Sequence, residues 1–388
     1  MSKPKINPVL LVSPVENGYV AYDPVLDRLH HLNPVAALIA ELSDGSRSIE
    51  AICDLVCPLV PGENAESLRG WIAKSVEAGL LVWDDSISAR ASELSASELF
   101  NLTKRLRAAG KIQSAYLCGK RTVEQEPENW DAWYDFGEIA QCVGHREEAR
   151  AAYQKYFEKN PHDAEIEHLL IALRDEAPPL RTSDRAILHI YKNFAPSYEE
   201  RMVQDLKYSG PQRTLEAVRT VIGDRTGLEV LDLGCGSGLT GNAFKDYAGS
   251  LTGIDLSTEM IDLARARQIY DRLEKAEITE WLDQGDTLFD LIVSCDCLIY
   301  FGDLTTIVRA ASRRLKPGGV FAFSVEQGTR PPFQLTDTGR YNHHPDHVRE
   351  SAASCGMEVA KLNQGFLRME YGDEVAGLYA VLRNNPPD

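Results

Sequence analysis

A glycine-rich loop that directly follows a short apolar segment constrains the fold of this chain more than any other feature. The segment Val230–Leu233 is typical of a buried parallel strand, and Gly234, Gly236 and Gly238 come next. Glycine is needed where the backbone turns tightly and approaches a ligand with no Cβ in the way. This spacing predicts the first strand, loop and helix of a doubly wound α/β sheet, with a ligand at the loop.

An acidic residue ends the second predicted strand. The apolar segment Leu251–Ile254 precedes Asp255. In folds of this kind a carboxylate at that place accepts hydrogen bonds from the two ribose hydroxyls of a nucleoside. The dinucleotide-binding fingerprint would have its third glycine where this chain has Leu239, so the loop has the spacing GxGxG instead. The pattern therefore indicates a nucleoside ligand but does not match the dinucleotide fingerprint.

The loop, with Asp232 ahead of it, resembles motif I of the class I S-adenosylmethionine (SAM) methyltransferases, and Asp255 matches their ribose-binding acid. The resemblance extends over about residues 185–384 and implies a Rossmann-like α/β sheet that ends in an antiparallel hairpin of strands 357–371 and 374–383. It also implies SAM as the cofactor. The residues expected to contact SAM are Tyr198, Asp232, Gly234, Cys235, Gly236, Gly238, Asp255, Leu256, Met260, Glu277, Ile278 and Cys295.

The methyl-acceptor side is predicted from polar residues that follow the fourth and fifth strands. The candidate catalytic residues are His343, His344, Tyr300 and Arg340, and the candidate substrate contacts are Glu326 and Tyr341. A neutral imidazole can act as a general base near pH 7, and a guanidinium can hold a carboxylate through two hydrogen bonds. Two structural alternatives stay open: the histidines cap the helix after them, and the arginine pairs with a neighbouring acid.

The segment Cys295–Tyr300 departs from the Asn/Asp-Pro-Pro-aromatic motif with which many amino N-methyltransferases hold a planar nitrogen. The departure favours O-methylation, of a carboxylate or of a side chain.

Residues 1–92 show the pattern of a small α+β module. Three short predicted strands, Val9–Ser13, Tyr19–Asp23 and Arg28–Leu32, precede a helix that opens at Asn33 and Pro34. This winged layout resembles PqqD, the recognition element for ribosomally made, modified peptides. The resemblance implies that the module holds a leader peptide as an added strand at an open sheet edge, with Arg28 and Leu32 as candidate contacts. The alternative is a PqqD-like fold kept for docking or dimerisation.

Residues 93–178 carry a repeat of about 34 residues that is typical of tetratricopeptide helix pairs. The matching positions are Trp133, Phe136, Gly137, Ala140, Gly144, Ala149, Tyr153, Tyr156 and Pro161, with a weaker copy one period earlier. The region of about residues 185–384 is similar to the methyltransferase subgroup that carries such repeats, through the segments Tyr300–Leu304, Gly339–His344 and Leu367–Glu370. This leaves residues 179–388 for the methyltransferase domain. A helical spacer that binds no ligand is the alternative for this region.

Composition limits the class of partner. A formal net charge of −17 argues against a nucleic-acid-binding or anionic-membrane surface. The chain has no apolar run near the ~20 residues of a membrane span, and its eight cysteines include no CxxC pair. We therefore expect a cytoplasmic protein with reduced cysteines and no metal site.

These patterns together predict a SAM-dependent methyltransferase that modifies a ribosomally synthesised precursor peptide after its leader is captured by the N-terminal module. Other peptide-maturation enzymes are a second class of expected partner. Two alternatives remain: a methyltransferase for a small carboxylic acid, and a non-catalytic scaffold that recruits maturation enzymes.

Overall fold

A computed structural model of the chain describes residues 3–15, 17–60, 62, 64–83, 94–174, 176–370 and 373–385. It forms two compact units, Met1–Lys159 and Asn160–Asp388. The domain boundary predicted after residue 92 lies outside the described residues, and the boundary predicted after residue 178 falls inside the second unit.

The N-terminal unit begins with short strands and three helices. In the part that the structure describes, these elements are β1 (Pro4–Ile6), β2 (Leu11–Val15), β3 (Gly18–Asp23), β4 (Arg28–Leu32), α1 (Pro34–Leu42), α2 (Ile49–Val56), α3 (Ala65–Glu77) and β5 (Leu81–Trp83). Strands β2, β3 and β4 form an antiparallel sheet in that order, while β1 pairs with β5. Helix α1 begins where the sequence predicts, because the Asn33 side chain accepts a hydrogen bond from the Ala36 amide at 2.9 Å and Pro34 occupies the first turn.

Paired helices complete this unit: α4 (Ala96–Ala108), α5 (Ile112–Gln125), α6 (Trp130–Cys142) and α7 (Arg146–Lys159). Helix α4 packs on α5 and α6 packs on α7, and α5 also contacts strands β2 and β3. The Tyr22 hydroxyl donates a hydrogen bond to Asp27 at 3.0 Å, and Lys111, just ahead of α5, forms an ion pair with the same carboxylate. These contacts join the sheet and the helix pairs into one packed unit.

The C-terminal unit starts with helices and continues as alternating strands and helices. Its helices are α8 (Ala164–Ala172), α9 (Asp184–Phe194), α10 (Tyr198–Glu200), α11 (Gly210–Ile222), α12 (Leu239–Phe244), α13 (Thr258–Ala266), α14 (Ile278–Gln284), α15 (Thr305–Arg313) and α16 (Pro345–Ser354). Its strands are β6 (Leu228–Leu233), β7 (Ala248–Asp255), β8 (Arg272–Lys275), β9 (Phe289–Ser294), β10 (Leu315–Gln327), β11 (Phe333–Leu335), β12 (Tyr341–His343), β13 (Glu358–Glu370) and β14 (Asp373–Arg383).

The main sheet has the strand order β8-β7-β6-β9-β10-β14-β13. Strands β6 to β10 are parallel, and β14 runs antiparallel between β10 and β13. The predicted Rossmann-like sheet with a C-terminal antiparallel hairpin is therefore confirmed. The hairpin strands end at Glu370 and begin again at Asp373, and the two residues predicted near its turn, 371 and 372, lie outside the described residues.

Apolar clusters cover both faces of this sheet, so its strands are buried as the continuous apolar runs predict. Strand order reverses at β6, which lies between β7 and β9. The carboxyl ends of parallel strands at such a switch point leave a crevice for a ligand. Among the helices that the structure describes, none combines the length and apolarity needed to cross a bilayer.

The close packing of α6 on α7 is testable at Gly137. A Cβ there would lie 2.6 Å from the buried Tyr153 ring, whereas a Cβ at Gly70 of α3 would meet no atom within 4 Å. We expect Gly137→Val to lower the free energy of unfolding of the N-terminal unit by about 1–3 kcal/mol, because overpacking forces the helices apart. Calorimetry of the full chain measures this change. The matched variant Gly70→Val should not lower the free energy of unfolding. Equal melting of both variants would contradict the assignment of Gly137 to a tight helix contact.

Candidate active site

The loop between β6 and α12 needs its glycines for two physical reasons. Gly234, Gly236 and Gly238 have φ of 66°, 55° and 88°, in the left-handed region that side chains disfavour. Space is also short, because a Cβ at Gly234 would overlap the Cys297 thiol and one at Gly238 would lie 2.8 Å from Cδ of Arg267. The loop therefore presents bare backbone at the carboxyl end of β6.

Asp255 connects this loop to the end of β7. Its Oδ2 accepts a hydrogen bond from the Gly236 amide at 2.8 Å, and its Oδ1 accepts one from the Ser257 amide at 2.8 Å. Burial raises the pKa of Asp255, while these backbone N–H groups act to lower it. Each carboxylate oxygen keeps a further lone pair, so Asp255 can still accept hydrogen bonds from a diol.

One pocket lies over these residues at the carboxyl ends of the strands. It brings together eight of the predicted cofactor contacts, namely Tyr198, Gly234, Gly236, Asp255, Leu256, Glu277, Ile278 and Cys295. It also contains the predicted catalytic residue Tyr300. Asp296 also lines the pocket, and its place after the fourth strand predicts it at this crevice without a specific role. The remaining lining residues, which the sequence did not mark, are Arg181, Ile187, Tyr191, Cys297 and Phe301.

Four of the predicted cofactor contacts lie outside the pocket lining and need correction. Asp232 is 0% exposed, and its Oδ2 accepts a hydrogen bond from the Tyr270 hydroxyl at 2.7 Å; burial raises the pKa of Asp232 to about 7. Met260 and Cys235 are buried in the core. Gly238 caps α12 beside Arg267. The side chains of Asp232, Cys235 and Met260 are buried beneath the loop, and Gly238 provides the turn into α12.

The far end of the pocket presents an acceptor beside apolar side chains. Oε2 of Glu277 accepts a hydrogen bond from the Glu280 amide at 2.8 Å and so caps α14. Its Oε1 is buried, lies 3.4 Å from Nη2 of Arg181 and has no hydrogen-bond partner among the described residues. Arg181 compensates the charge of this oxygen, but a buried acceptor without a hydrogen bond can still take one from a ligand donor. Together with Leu256 and Ile278 it fits the amino group and ring of an adenine.

Tyrosine side chains line one wall of the pocket. The Tyr300 hydroxyl donates to the Tyr191 hydroxyl at 3.3 Å, and the two ring centroids are 6.1 Å apart. The Tyr198 ring centroid lies 6.2 Å from that of Tyr191. Burial raises the pKa of Tyr300 to about 12, so this hydroxyl stays protonated near neutral pH and acts as a donor. The aromatic residues at the end of α9 could have indicated Tyr191, whereas no sequence pattern marks Arg181.

Arg340, predicted to bind a substrate carboxylate, instead forms ion pairs with carboxylates of the chain itself. Nε of Arg340 donates to Glu326 at 2.7 Å, and its Nη2 pairs with Glu370. Arg340 is absent from the residues that line the described pocket. Of the two alternatives for this residue, the geometry matches the pairing with neighbouring acids. Glu326, a predicted substrate contact, is likewise engaged by Arg340 and by Arg368.

The histidine pair and Tyr341 also lie away from the pocket lining. His344 caps α16, because its Nδ1 accepts a hydrogen bond from the Asp346 amide at 3.2 Å. His343 is 0% exposed and stacks on His347 with ring centroids 5.5 Å apart; burial lowers the pKa of His343 to about 3. Tyr341 is buried, and its hydroxyl donates to the Pro179 carbonyl at 2.6 Å. Neither histidine therefore has the position of the predicted general base: His344 caps a helix and His343 lies in the core.

The residues that line the pocket fit SAM. The Asp255 carboxylate suits the ribose hydroxyls, Glu277 and Ile278 suit the adenine, and the bare glycine loop admits the methionine portion. Cys295 turns its thiol towards Thr214 at 3.4 Å, which leaves its backbone on the pocket side. SAM supplies an activated methyl group on a sulfonium, and several acids around the pocket suit this cation.

Sequence comparison matches this part of the chain to methyltransferases. A family model described as a methyltransferase domain matches residues 231–323. The ubiquinone biosynthesis O-methyltransferase of Xanthomonas oryzae pv. oryzae (strain PXO99A) is 28% identical over 176 residues, which cover 39% of this chain and 73% of that protein. The protein of the same name from Xanthomonas euvesicatoria pv. vesicatoria (strain 85-10) is 32% identical over 176 residues with the same coverage. A solved structure of magnesium protoporphyrin IX methyltransferase from Synechocystis PCC 6803 with bound SAH is 18% identical, with a TM-score of 0.40 over 51% of this chain and 99% of that chain.

The role of Asp255 is open to a direct binding test. Asp255→Ala removes charge-assisted hydrogen bonds, each worth roughly 1.5–3 kcal/mol, so SAM affinity should fall at least about tenfold. Isothermal titration calorimetry of the folded variant measures the affinity. Asp262→Ala, which removes an exposed acid of α13, is the matched control and should bind as the unmodified chain does. Unchanged affinity in Asp255→Ala would remove this carboxylate from the site.

The buried state of His343 predicts a pH dependence of stability. Because the pKa of His343 is lowered to about 3 in the folded chain from an ordinary value of 6.5, the unfolded chain binds an extra proton between these values. Stability is therefore lost as pH falls through this window, by up to about 1.4 kcal/mol per pH unit. We expect His343→Phe to weaken this acid dependence in urea unfolding at pH 6 and pH 4.5, and the exposed His162→Gln to leave it nearly intact. An acid dependence that is unchanged in His343→Phe would show that the imidazole is not kept neutral in the folded chain.

Proposed function

Because this chain belongs to the SAM-dependent methyltransferases, we propose that it methylates a ribosomally synthesised precursor peptide whose leader segment is captured by the N-terminal module. One observation carries the peptide part of the proposal. The N-terminal module has both an unpaired sheet edge and an open groove. The chemistry takes place in the pocket of the C-terminal unit, where Asp255 and Glu277 hold the cofactor and the tyrosine wall excludes water.

The open edge belongs to β4. In the part of residues 3–83 that the structure describes, β4 pairs with β3 and with no other strand. The outer edge of such a strand carries backbone donors and acceptors that an added peptide strand can satisfy. Arg28 and His31 are exposed on β4. Leu32 is 6% exposed and packs in the core with Ala36 and Ala37, so its side chain does not serve as a peptide contact and only its backbone remains a candidate.

A groove between α1 and α3 follows β4 in the chain, and its side chains could bind the side chains of a peptide paired to the β4 edge. Its lining residues are Asn33, Val35, Ala36, Ile39, Ser67, Leu68, Gly70, Trp71 and Lys74. The indole of Trp71 is half-buried and offers an apolar surface, while Lys74 adds a positive charge at one side. Backbone pairing at β4 would supply affinity, and apolar and acidic leader side chains in this groove would supply selectivity.

The groove can be blocked without disturbing the fold, which gives a sharp test of leader capture. A Cβ added to Gly70 on α3 would meet no atom within 4 Å, so Gly70→Glu should fold normally and place a long acidic side chain in the groove. We expect the KM for the precursor peptide encoded beside the gene to rise by more than about tenfold. Turnover at saturating peptide and SAM affinity should change little.

The matched control is Ala73→Glu, an exposed position of the same helix outside the groove lining. It should leave the KM for the peptide unchanged. Leaderless core peptide should be a poor substrate for all three forms of the chain. An unchanged KM in Gly70→Glu would rule out leader capture in this groove, and a failure to methylate any form of the precursor peptide would remove the peptide as substrate.

A further inference from the structure

Asp296 is the member of a buried charge cluster that reaches the pocket. Nη1 of Arg368 donates to both carboxylate oxygens of Asp296, at 3.0 and 3.1 Å, and Nη2 of the same guanidinium pairs with Glu326. Arg368 is 4% exposed and the Asp296 side chain is 11% exposed. The guanidinium thus holds the carboxylate against the wall of the pocket that Tyr300 also lines.

The cluster keeps a negative charge on its pocket side. As described above, it contains the carboxylates of Asp296, Glu326 and Glu370 and the guanidiniums of Arg340 and Arg368, so one negative charge is in excess. Glu326 and Glu370 are each engaged by both arginines, whereas Asp296 is engaged by Arg368. The excess charge is therefore available at the carboxylate that faces the ligand space.

The backbone holds Asp296 in an unusual conformation. Asp296 follows shortly after β9 and has φ of 55°, in the left-handed region. Its amide donates a hydrogen bond to the Ser324 hydroxyl at 3.1 Å, which anchors this turn to β10. Non-glycine residues held in the left-handed region cluster at functional sites, where the surrounding structure compensates for the strain.

We propose that Asp296 accepts a hydrogen bond from the methyl-acceptor group and takes its proton, so that the acceptor is a hydroxyl or an amine and not a carboxylate. The inference rests on the proposed function, because it names the acceptor class for the same pocket. A carboxylate acceptor would face the Asp296 carboxylate at close range and be repelled by it. It would also lack a free cation, since Arg340 is bound by two acids outside the pocket lining.

Arg181 is the cationic residue that lines the described pocket, and it already pairs with other groups of the chain. Arg181 pairs with Asp184, lies 3.4 Å from Glu277 and stacks over the Phe301 ring at 5.0 Å. These contacts place its charge at the adenine side of the pocket. The acceptor side is therefore acidic and aromatic, which suits a neutral hydroxyl or amine with a proton to donate.

The transfer balances with Asp296 as the base. The acceptor's lone pair forms the new bond to the methyl carbon while the carbon–sulfur bond breaks, and the electron pair of that bond stays on sulfur as a neutral thioether. The acceptor's proton passes to a carboxylate oxygen of Asp296 and later to solvent. Burial raises the pKa of Asp296 while Arg368 opposes this rise, so this carboxylate is a stronger base than an exposed aspartate. The charged and titratable groups that interact with Asp296 are Arg368, Glu326, Arg340, Glu370, Cys295, Tyr191, Tyr198, Tyr208, Tyr300 and Tyr379.

The variant Asp296→Asn separates this role from a contact with the ammonium group of SAM. Asparagine tolerates the left-handed conformation as aspartate does, so the turn is kept while the base is lost. We expect kcat to fall by about 10²–10⁴-fold, and SAH affinity measured by calorimetry to change less than about threefold. The acid limb of the pH profile of kcat should also be lost. A tenfold or larger loss of SAH affinity would overturn the proposal and assign Asp296 to the cofactor.

Glu370→Gln is the matched control, since it removes one charge from the same cluster at a residue outside the pocket lining. Its kcat should stay within about threefold of the unmodified chain. A loss as large as that of Asp296→Asn would show that the cluster acts only by its total charge and would overturn the proposal.

The acceptor class is tested with labelled SAM and four blocked amino acids: N-acetyl amides of serine, tyrosine, lysine and aspartate. Methylation of serine, tyrosine or lysine with aspartate left unmodified supports the proposal, and a base-labile methyl ester on aspartate overturns it. The precursor peptide is mapped in parallel by tandem mass spectrometry. A modified small probe with an unmodified peptide would refute peptide capture and leave the acceptor class standing. If no probe and no peptide reacts, the SAH affinity of Asp296→Asn decides between base and cofactor contact.

Discussion

The placement of β6 between β7 and β9 is the constraint on which the rest of the site depends. Parallel pairing on both sides brings the carboxyl ends of these strands to one edge, where the glycine loop, Asp255 and the turn at Asp296 meet. The hydrogen bond from the Gly236 amide to Asp255 then ties the loop to the neighbouring strand. A side chain in the loop would meet Cys297 or Arg267, so sheet topology and loop composition depend on each other.

Electrostatics divides the C-terminal unit into a binding surface and a supporting layer. The acids that line the pocket face a cationic cofactor, whereas Asp232, His343 and Tyr341 are taken up by the core behind it. The Arg340 and Arg368 guanidiniums pair with Glu326 and Glu370, and Arg368 orients Asp296. Buried charge pairs of this kind add little net stability, but they restrict where a carboxylate can point.

Packing in the N-terminal unit supports one part of its small sheet and leaves one sheet edge open. Helix α5 covers β2 and β3, and the ion pair of Lys111 with Asp27 fixes this contact. The β4 edge presents unpaired backbone groups, and the groove beside α3 presents an aromatic side chain. The same unit thus combines a packed helical support with a small sheet that has room for one more strand, the arrangement on which the proposed peptide capture depends.

The amino-acid pattern alone determined the Rossmann-like fold, the glycine loop, Asp255 and most of the cofactor pocket, because local periodicity and turn chemistry reflect these directly. It also indicated the helix cap at Asn33 and left open the capping role of His344. Only the tertiary structure decided where the other polar candidates lie. Whether Arg340 is free or pairs with Glu326 and Glu370, and whether His343 is buried, depends on contacts between residues far apart in the chain. Such contacts leave no local signal, since burial and charge pairing arise only when β9, β10, β12 and β13 come together.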